Sequence, residues 1–239
     1  MKINDVAGYL AKGRIVDLSL KIEPGKTVGL FGAPGRRYEI KRFGYEPAKP
    51  WSGPGETMHF VDMENHISTH VECPSHFIPI RYGTGAPDMS EVELSRFFGM
   101  AVFIDCRSLA ARTPIDAAVL KKFPIAENDI VLVGNGKQLG AKGELRSHMT
   151  KEGAEYLVAK KIKLLGFDDT IIPENPLVIK DLETMFTHDL MLSNGIPIIE
   201  RLANMEKLSQ PKFLFFCFPA NLGGLDSFPI RAVVIEGKD

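Results

Sequence analysis

The sequence predicts one α/β domain built on a mixed β-sheet. The first third reads as strands, the middle alternates strand with helix, and no linker clearly divides the 239 residues. Alternating strands and helices are the pattern of a sheet covered by helices. A chain of this length fits one large domain, given roughly 100–200 residues per domain and more for many α/β folds. We therefore treat residues 1–239 as a single unit.

The elements follow in order. Residues 14–20 (RIVDLSL) alternate apolar and polar, as a half-buried strand does. Residues 29–55 carry a dense run of Gly and Pro, including Gly32, Pro34, Gly35, Gly44, Pro47, Pro50, Gly53 and Pro54. That run predicts a long irregular surface segment, and loops of such length are often binding loops or lids. It is locally basic, with Arg36, Arg37, Lys41, Arg42 and Lys49 against Glu39 and Glu46. Residues 58–64 and 100–106 read as strands. Thr113-Pro114 supplies a cap and a first-turn proline for a short helix over 115–123. A strand over 129–133 ends in the turn Gly134-Asn135-Gly136. Residues 150–162 form a helix with Glu152 and Glu155 early and Lys160 and Lys161 late, matching the helix dipole. A strand follows at 163–167, then a helix over 188–194 closed by Gly195, the segment 196–199 leading into Glu200, and last strands at 212–218 and 230–236.

Composition excludes several function classes. The 29 basic and 30 acidic residues leave a net charge of −1, which lacks the basic stripe that nonspecific nucleic-acid binding needs. The apolar content of 44% is ordinary for a globular protein and argues against disorder. The apolar run at 213–219 (FLFFCFP) is far shorter than the roughly 20 residues that span a bilayer. The N-terminal stretch has Asp5 inside it and no signal-peptide core. Cys73, Cys106 and Cys217 are odd in number without a C-x-x-C spacing, which suits a reducing cytosol and no disulfide framework. The expectation is a cytoplasmic protein with neither membrane nor nucleic acid as partner, acting on a small molecule.

Several motifs fail. Gly25-Lys26-Thr27 has Leu20 where a P-loop needs its first glycine. Gly140 comes one residue too late for a dinucleotide fingerprint after Gly134 and Gly136. There is no G-x-S-x-G elbow and no H-E-x-x-H.

The histidines are informative. The chain has six, and His59, His66, His70 and His76 crowd into eighteen residues. His66, His70, Glu72 and His76 are spaced four, two and four apart, and imidazole and carboxylate are the usual ligands of divalent zinc or manganese. In an extended chain His66 and His70 would sit roughly 13 Å apart at about 3.3 Å per residue, too far to share an ion. A turn centred on Ser68 is therefore expected, followed by an extended run from His70 through Pro74. His70 and Glu72, two apart on that run, can share an ion. His76, beyond Pro74, is left as a proton carrier.

The stretch H-I-S-T-H-V-E-C-P-S-H at 66–76 resembles the H-x-G-T-H-x-D-x-P-x-H motif of the metal-dependent hydrolases called the cyclase family, which includes bacterial kynurenine formamidase and isatin hydrolase. Val16-Asp17-Leu18-Ser19 is similar to the family's opening strand and Leu164-Leu165-Gly166-Phe167-Asp168 to its "GiD" strand. His188 with Glu200 twelve residues on resembles its second ligand pair, and Pro229-Ile230-Arg231-Ala232 its closing strand. The resemblance implies a swivelling β/β/α fold, assembled as a homodimer or homotetramer. It implies that His66, His70 and Glu72 bind a first divalent ion, Zn or Mn, and that Glu72, His188 and Glu200 complete a site for a second. It makes His76 the general acid/base. Ser68 and Glu72 depart from the motif, which has Gly and Asp there.

The expected reaction is hydrolysis of an amide or lactam C–N bond in a small molecule, arylformamidase-like, by metal-activated water. The alternatives are a lactone or carbamate hydrolase or a dehydratase on the same scaffold, or a metal-binding protein without catalysis. Cys73 has no His–Asn/Asp partner pattern to make it a nucleophile. Trp51 and Phe77 are expected as apolar walls for the substrate, with residues 29–55 as a lid.

Overall fold

The structure is a computed structural model and describes residues 3–23, 40–47, 57–79, 83, 85–110, 112–136, 146–175, 177 and 179–237. In chain order the elements are α1 (Ile3–Lys12), β1 (Arg14–Asp17), β2 (Ile40–Pro47), β3 (Thr57–Met63), β4 (His70–Glu72), β5 (Phe98–Asp105), α2 (Ala117–Leu120) and β6 (Ile130–Gly134). There follow β7 (Ser147–His148), α3 (Lys151–Ala159), β8 (Leu164–Asp168), β9 (Ile171–Ile172), α4 (Phe186–Ser193), β10 (Ile198–Leu202), β11 (Lys212–Phe216), β12 (Ser227–Pro229) and β13 (Val233–Glu236).

Nine strands form one mixed sheet in the order β1-β13-β11-β5-β6-β8-β10-β4-β12. The neighbours β5, β6, β8 and β10 run parallel, and the strands on either side pair antiparallel. The division follows from the sequence. β6 (IVLVG) and β8 (LLGFD) are buried at every position, as strands covered on both faces must be. β11 (KFLFF) alternates, because only one of its faces is fully covered.

Side chains of alternating parity fill two cores. Ala101, Phe103, Ile130, Leu132, Phe213 and Phe215 point into one, and Val102, Ile104, Val131, Val133, Leu165 and Phe167 into the other. Helices α3 and α4 cover the second face through Ala154, Leu157, Met191 and Leu192. Each fully buried Leu, Ile or Phe contributes roughly 1.5–3 kcal/mol. The sheet curls. The Leu18 N–H donates to Ala232 O while Leu18 O accepts from the Ala203 N–H, both at 2.8 Å, which joins the chain after edge strand β1 to the chain after β10.

Most expected elements stand where the pattern places them, with shifted ends. Thr150 caps α3 by accepting from the Gly153 N–H at 3.1 Å. That helix stops at Ala159 rather than 162, because Lys161 turns left-handed (φ 53°). The short middle helix is not capped by Thr113. Ile115 is extended, bridging to Met149, so the helix begins later with Asp116 accepting from the Val119 N–H at 2.8 Å. The segment 29–55 is not irregular throughout. Residues 40–47 form β2 and pair with β3, in keeping with the strand-forming Phe43 and Tyr45. The rest of that segment, Trp51 included, lies outside the described residues.

Four further elements appear that the sequence pattern does not place, α1, β7, β9 and β12. No helix among the described residues is long and apolar enough to cross a membrane.

Candidate metal centre

The site grows out of one sharp turn. Ser68 adopts φ 60°, the left-handed region, and its hydroxyl donates to Leu20 O at 2.9 Å. Thr69 locks the same turn, its hydroxyl donating to Arg201 O at 2.6 Å and accepting from the Leu20 N–H at 2.9 Å. The turn centred on Ser68 is thus present, and it brings the His66 and His70 rings to 5.1 Å between centroids. A left-handed φ is the conformation that glycine adopts without steric cost. Here serine bears the cost of that conformation and gains a hydrogen bond.

The extended run after the turn is shorter than expected. β4 ends at Glu72, Cys73 remains extended, and Pro74 opens a 3₁₀ turn over Pro74–His76. Proline suits the first turn of a helix because its missing N–H would be unsatisfied there anyway. The turn folds His76 back, so that its ring centroid lies 4.5 Å from that of His66.

Sheet register supplies Glu200. β4 lies between β10 and β12, with His70 opposite Glu200 and Glu72 opposite Ser227. β10 bulges just after Glu200, at Arg201, which has φ 63°. His188 arrives from the first turn of α4. Its backbone N–H and its ring Nδ1 both bond Glu174 Oε1, at 2.9 and 3.0 Å.

Glu72 sits at the centre. Its Oε1 lies 3.1 Å from His66 Nδ1, 3.5 Å from His70 Nε2 and 3.6 Å from His76 Nε2, and its Oε2 lies 3.3 Å from His188 Nε2. Glu200 stands 3.9 Å from both His70 Nε2 and His188 Nε2. The structure therefore gathers His66, His70, Glu72, His76, His188 and Glu200 into one cluster. Two overlapping triads have ligand atoms close enough to hold an ion, His66–Glu72–His76 and His70–Glu72–Glu200, with Glu72 common to both. Phe77 is buried, its ring 6.0 Å from that of His188.

The electrostatics are those of a cation site. Burial alone would raise the Glu72 carboxyl, but His76, His188, His66 and His70 around it hold it well below the usual carboxylate range. Glu200 is pushed up by burial and by the Glu72 charge. Burial works against a charged His66, yet its hydrogen bonds to Asp226 and Glu72 lift it to about 10. His188 is likewise raised against its burial, by Glu174 and Glu72. Protons on these imidazoles do the neutralising that a divalent ion would do instead. Among the described residues His70 Nε2 and Glu72 Oε2 are buried and make no hydrogen bond, a costly arrangement that a bound cation would relieve. An imidazole–carboxylate set with such orphaned atoms fits a divalent metal ion.

Two carboxylates escape sequence reasoning. Asp226 Oδ2 lies 2.6 Å from His76 Nδ1 and 3.1 Å from His66 Nε2. Glu174 orients His188. Asp226 stands three residues before Pro229, at the edge of the closing-strand motif, a position that could have drawn attention to it. Glu174, in I-I-P-E-N-P, carries no comparable signal. The GiD aspartate, Asp168, has a structural part. Its buried carboxyl, raised by burial, accepts from the N–H groups of Asn135 (3.0 Å), Gly136 (2.8 Å) and Thr170 (2.8 Å), pinning the turn after β6.

A family profile described as "Putative cyclase" matches residues 16–172. No curated protein matches the chain. Among solved structures, the chain is similar to isatin hydrolase A from Labrenzia aggregata bound to benzyl benzoate, at 21% identity over 99% of both chains with a TM-score of 0.78. It is similar to an isatin hydrolase bound to the product analogue thioisatinate, at 18% identity over 100% of both chains with a TM-score of 0.79. It also resembles a "predicted metal-dependent hydrolase" from Bacillus stearothermophilus, at 21% identity over 93% of this chain and 98% of that one, with a TM-score of 0.71. At these identities the likeness is one of fold. The family profile spans well over half of the sequence, and the chain belongs to the cyclase family.

Proposed function

We propose that the protein is a metal-dependent hydrolase cleaving an amide or lactam C–N bond of a small molecule. The observation that carries this reading is the convergence of four imidazoles on one buried carboxylate, Glu72, with His70 Nε2 and Glu72 Oε2 left without hydrogen bonds. Family membership and the fold shared with isatin hydrolases support a cyclic or N-acyl amide as substrate. His66, His70, Glu72, His188 and Glu200 would hold one or two ions of zinc or manganese, with Glu72 common to both. Such an ion, when bound, lowers the pKa of a water toward about 7 and polarises a carbonyl.

The protein's own groups divide the remaining work. His70 and His188 are 2% and 7% exposed and are each oriented by a bond at Nδ1, to Ser68 O and to Glu174. They are fixed. The His76 side chain is 26% exposed, the most open of the four rings, and its Nε2 faces Glu72. It can exchange protons with solvent while facing the centre. That suits a group that takes a proton from the attacking water and returns it to the leaving nitrogen. Cys73 is buried against Met89, and burial pushes its thiol up to about 12, so it offers no thiolate nucleophile.

The test is metal analysis of purified protein together with a hydrolysis screen that includes N-formylkynurenine and isatin. Wild type is expected to carry zinc or manganese and to hydrolyse an amide or lactam. His70→Ala should lose both activity and metal while keeping its circular-dichroism spectrum. Undiminished hydrolysis by metal-free His70→Ala protein would overturn the proposal.

A further inference from the structure

We infer that Asp226 is a positioning residue that decides which ring nitrogen carries the proton in both His66 and His76; this rests on the hydrolase reading above. Asp226 directly precedes β12, and its backbone carbonyl accepts from the Cys73 N–H at 2.8 Å, which ties it to the end of β4. Oδ1 accepts from the Asn65 side-chain amide at 2.6 Å. Oδ2 meets His76 Nδ1 at 2.6 Å and His66 Nε2 at 3.1 Å. One carboxylate is thus held by its backbone and by three side chains.

A carboxylate accepts hydrogen bonds and does not donate them, so each imidazole nitrogen facing Asp226 must carry the hydrogen. In a neutral imidazole the other nitrogen then carries the lone pair. For His66 that nitrogen is Nδ1, 3.1 Å from Glu72 Oε1; it holds a second proton while the ring is charged and presents its lone pair there once that proton is displaced by a metal. For His76 it is Nε2, 3.6 Å from the same oxygen. Both lone pairs therefore face the centre, the first to ligate and the second to accept a proton. Without the carboxylate, His76 is free to place its hydrogen on Nε2, where it cannot act as a base. Outer carboxylates on ligating histidines, and the aspartate behind a catalytic histidine, work by the same fixing of the tautomer.

The test uses zinc-loaded protein labelled with ¹⁵N-histidine, comparing wild type, Asp226→Asn and Asp226→Glu. Wild type should show His76 with its hydrogen on Nδ1. Asp226→Asn, whose amide can donate to Nδ1, should shift His76 toward the Nε2–H form. It should lower kcat of the zinc-saturated protein by about 100-fold, with KM within about threefold, while zinc affinity itself falls by about tenfold or more. Asp226→Glu, which keeps the carboxylate, should restore the wild-type tautomer and part of kcat. The inference is overturned if His76 keeps its wild-type tautomer in Asp226→Asn, or if kcat falls only in proportion to zinc lost. If Asp226→Asn does not fold, Asp226→Glu decides: a wild-type tautomer supports the inference and an Nε2–H form refutes it. Absence of any hydrolysis by wild type defeats the parent reading, and the nitrogen spectra then decide the tautomer assignment separately.

Discussion

Replacing Glu174 with alanine separates two jobs done by one oxygen. Glu174 Oε1 accepts from the His188 backbone N–H at 2.9 Å and lies 3.0 Å from His188 Nδ1. The first bond caps α4, because His188 is the third residue of that helix and its N–H has no partner within it. The second bond aims Nε2 at Glu72. Loss of a cap costs roughly 1 kcal/mol, and leaving a buried donor unsatisfied costs about 1–3 kcal/mol. Glu174→Ala should therefore destabilise the metal-free fold by about 2–3 kcal/mol, or roughly 5–10 °C in Tm for a chain of this size. Removing an outer partner of a metal-ligating histidine typically weakens metal binding by about 10–100-fold. Glu174→Gln keeps an acceptor but loses the charge. Its stability should stay within about 1 kcal/mol of wild type while zinc affinity still falls about tenfold. Urea melts give the first quantity, and zinc competition with a chelator of known affinity gives the second. If Glu174→Ala binds zinc as tightly as wild type, Glu174 does not orient His188 and the reasoning fails.

Other perturbations probe the same architecture. Ser68→Gly exchanges left-handed strain for the lost bond to Leu20 O, so stability should change by less than about 1 kcal/mol, whereas Ser68→Val should cost several times that in urea melts. A Cβ at position 134 would sit 2.4 Å from the Asp168 carboxyl, which is itself pinned by three backbone N–H groups. Gly134→Ala should therefore lower stability by about 1–3 kcal/mol, and a wild-type Tm would contradict the rigidity assigned to that turn. The His66 pKa is raised from 6.5 to about 10, so in metal-free protein its stabilising contribution is full below pH 6.5 and is lost as pH climbs toward 10. The same proton competes with the metal, so zinc affinity should rise with pH across the neutral range. A chelator titration that is flat between about pH 6 and 8 would exclude His66 as a ligand.

How much was legible depended on whether the signal was local. The strands β6 and β8, and β5 over 101–104, were readable because their apolar runs directly reflect burial on both faces. The turn at Ser68 was readable from distance alone, since an extended chain could not bring His66 and His70 together. The start of α2 was misplaced because Thr113-Pro114 makes a plausible cap, and only the bridge from Ile115 to Met149 shows that the chain is still extended there. The irregular reading of 29–55 missed β2 because Gly and Pro density obscured a short strand whose partner, β3, lies ten residues further on.

By itself the sequence determined the fold class, the cyclase-family resemblance and the histidines and carboxylates gathered around Glu72, because those depend on residue type and near spacing. Only the tertiary structure decided which groups orient them. Asp226 lies 150 residues from His76, and Glu174 lies 14 residues before His188, across the connection that leads into α4. A hydrogen bond of about 3 Å between such residues is a product of strand register and packing, and no local pattern in the chain encodes it.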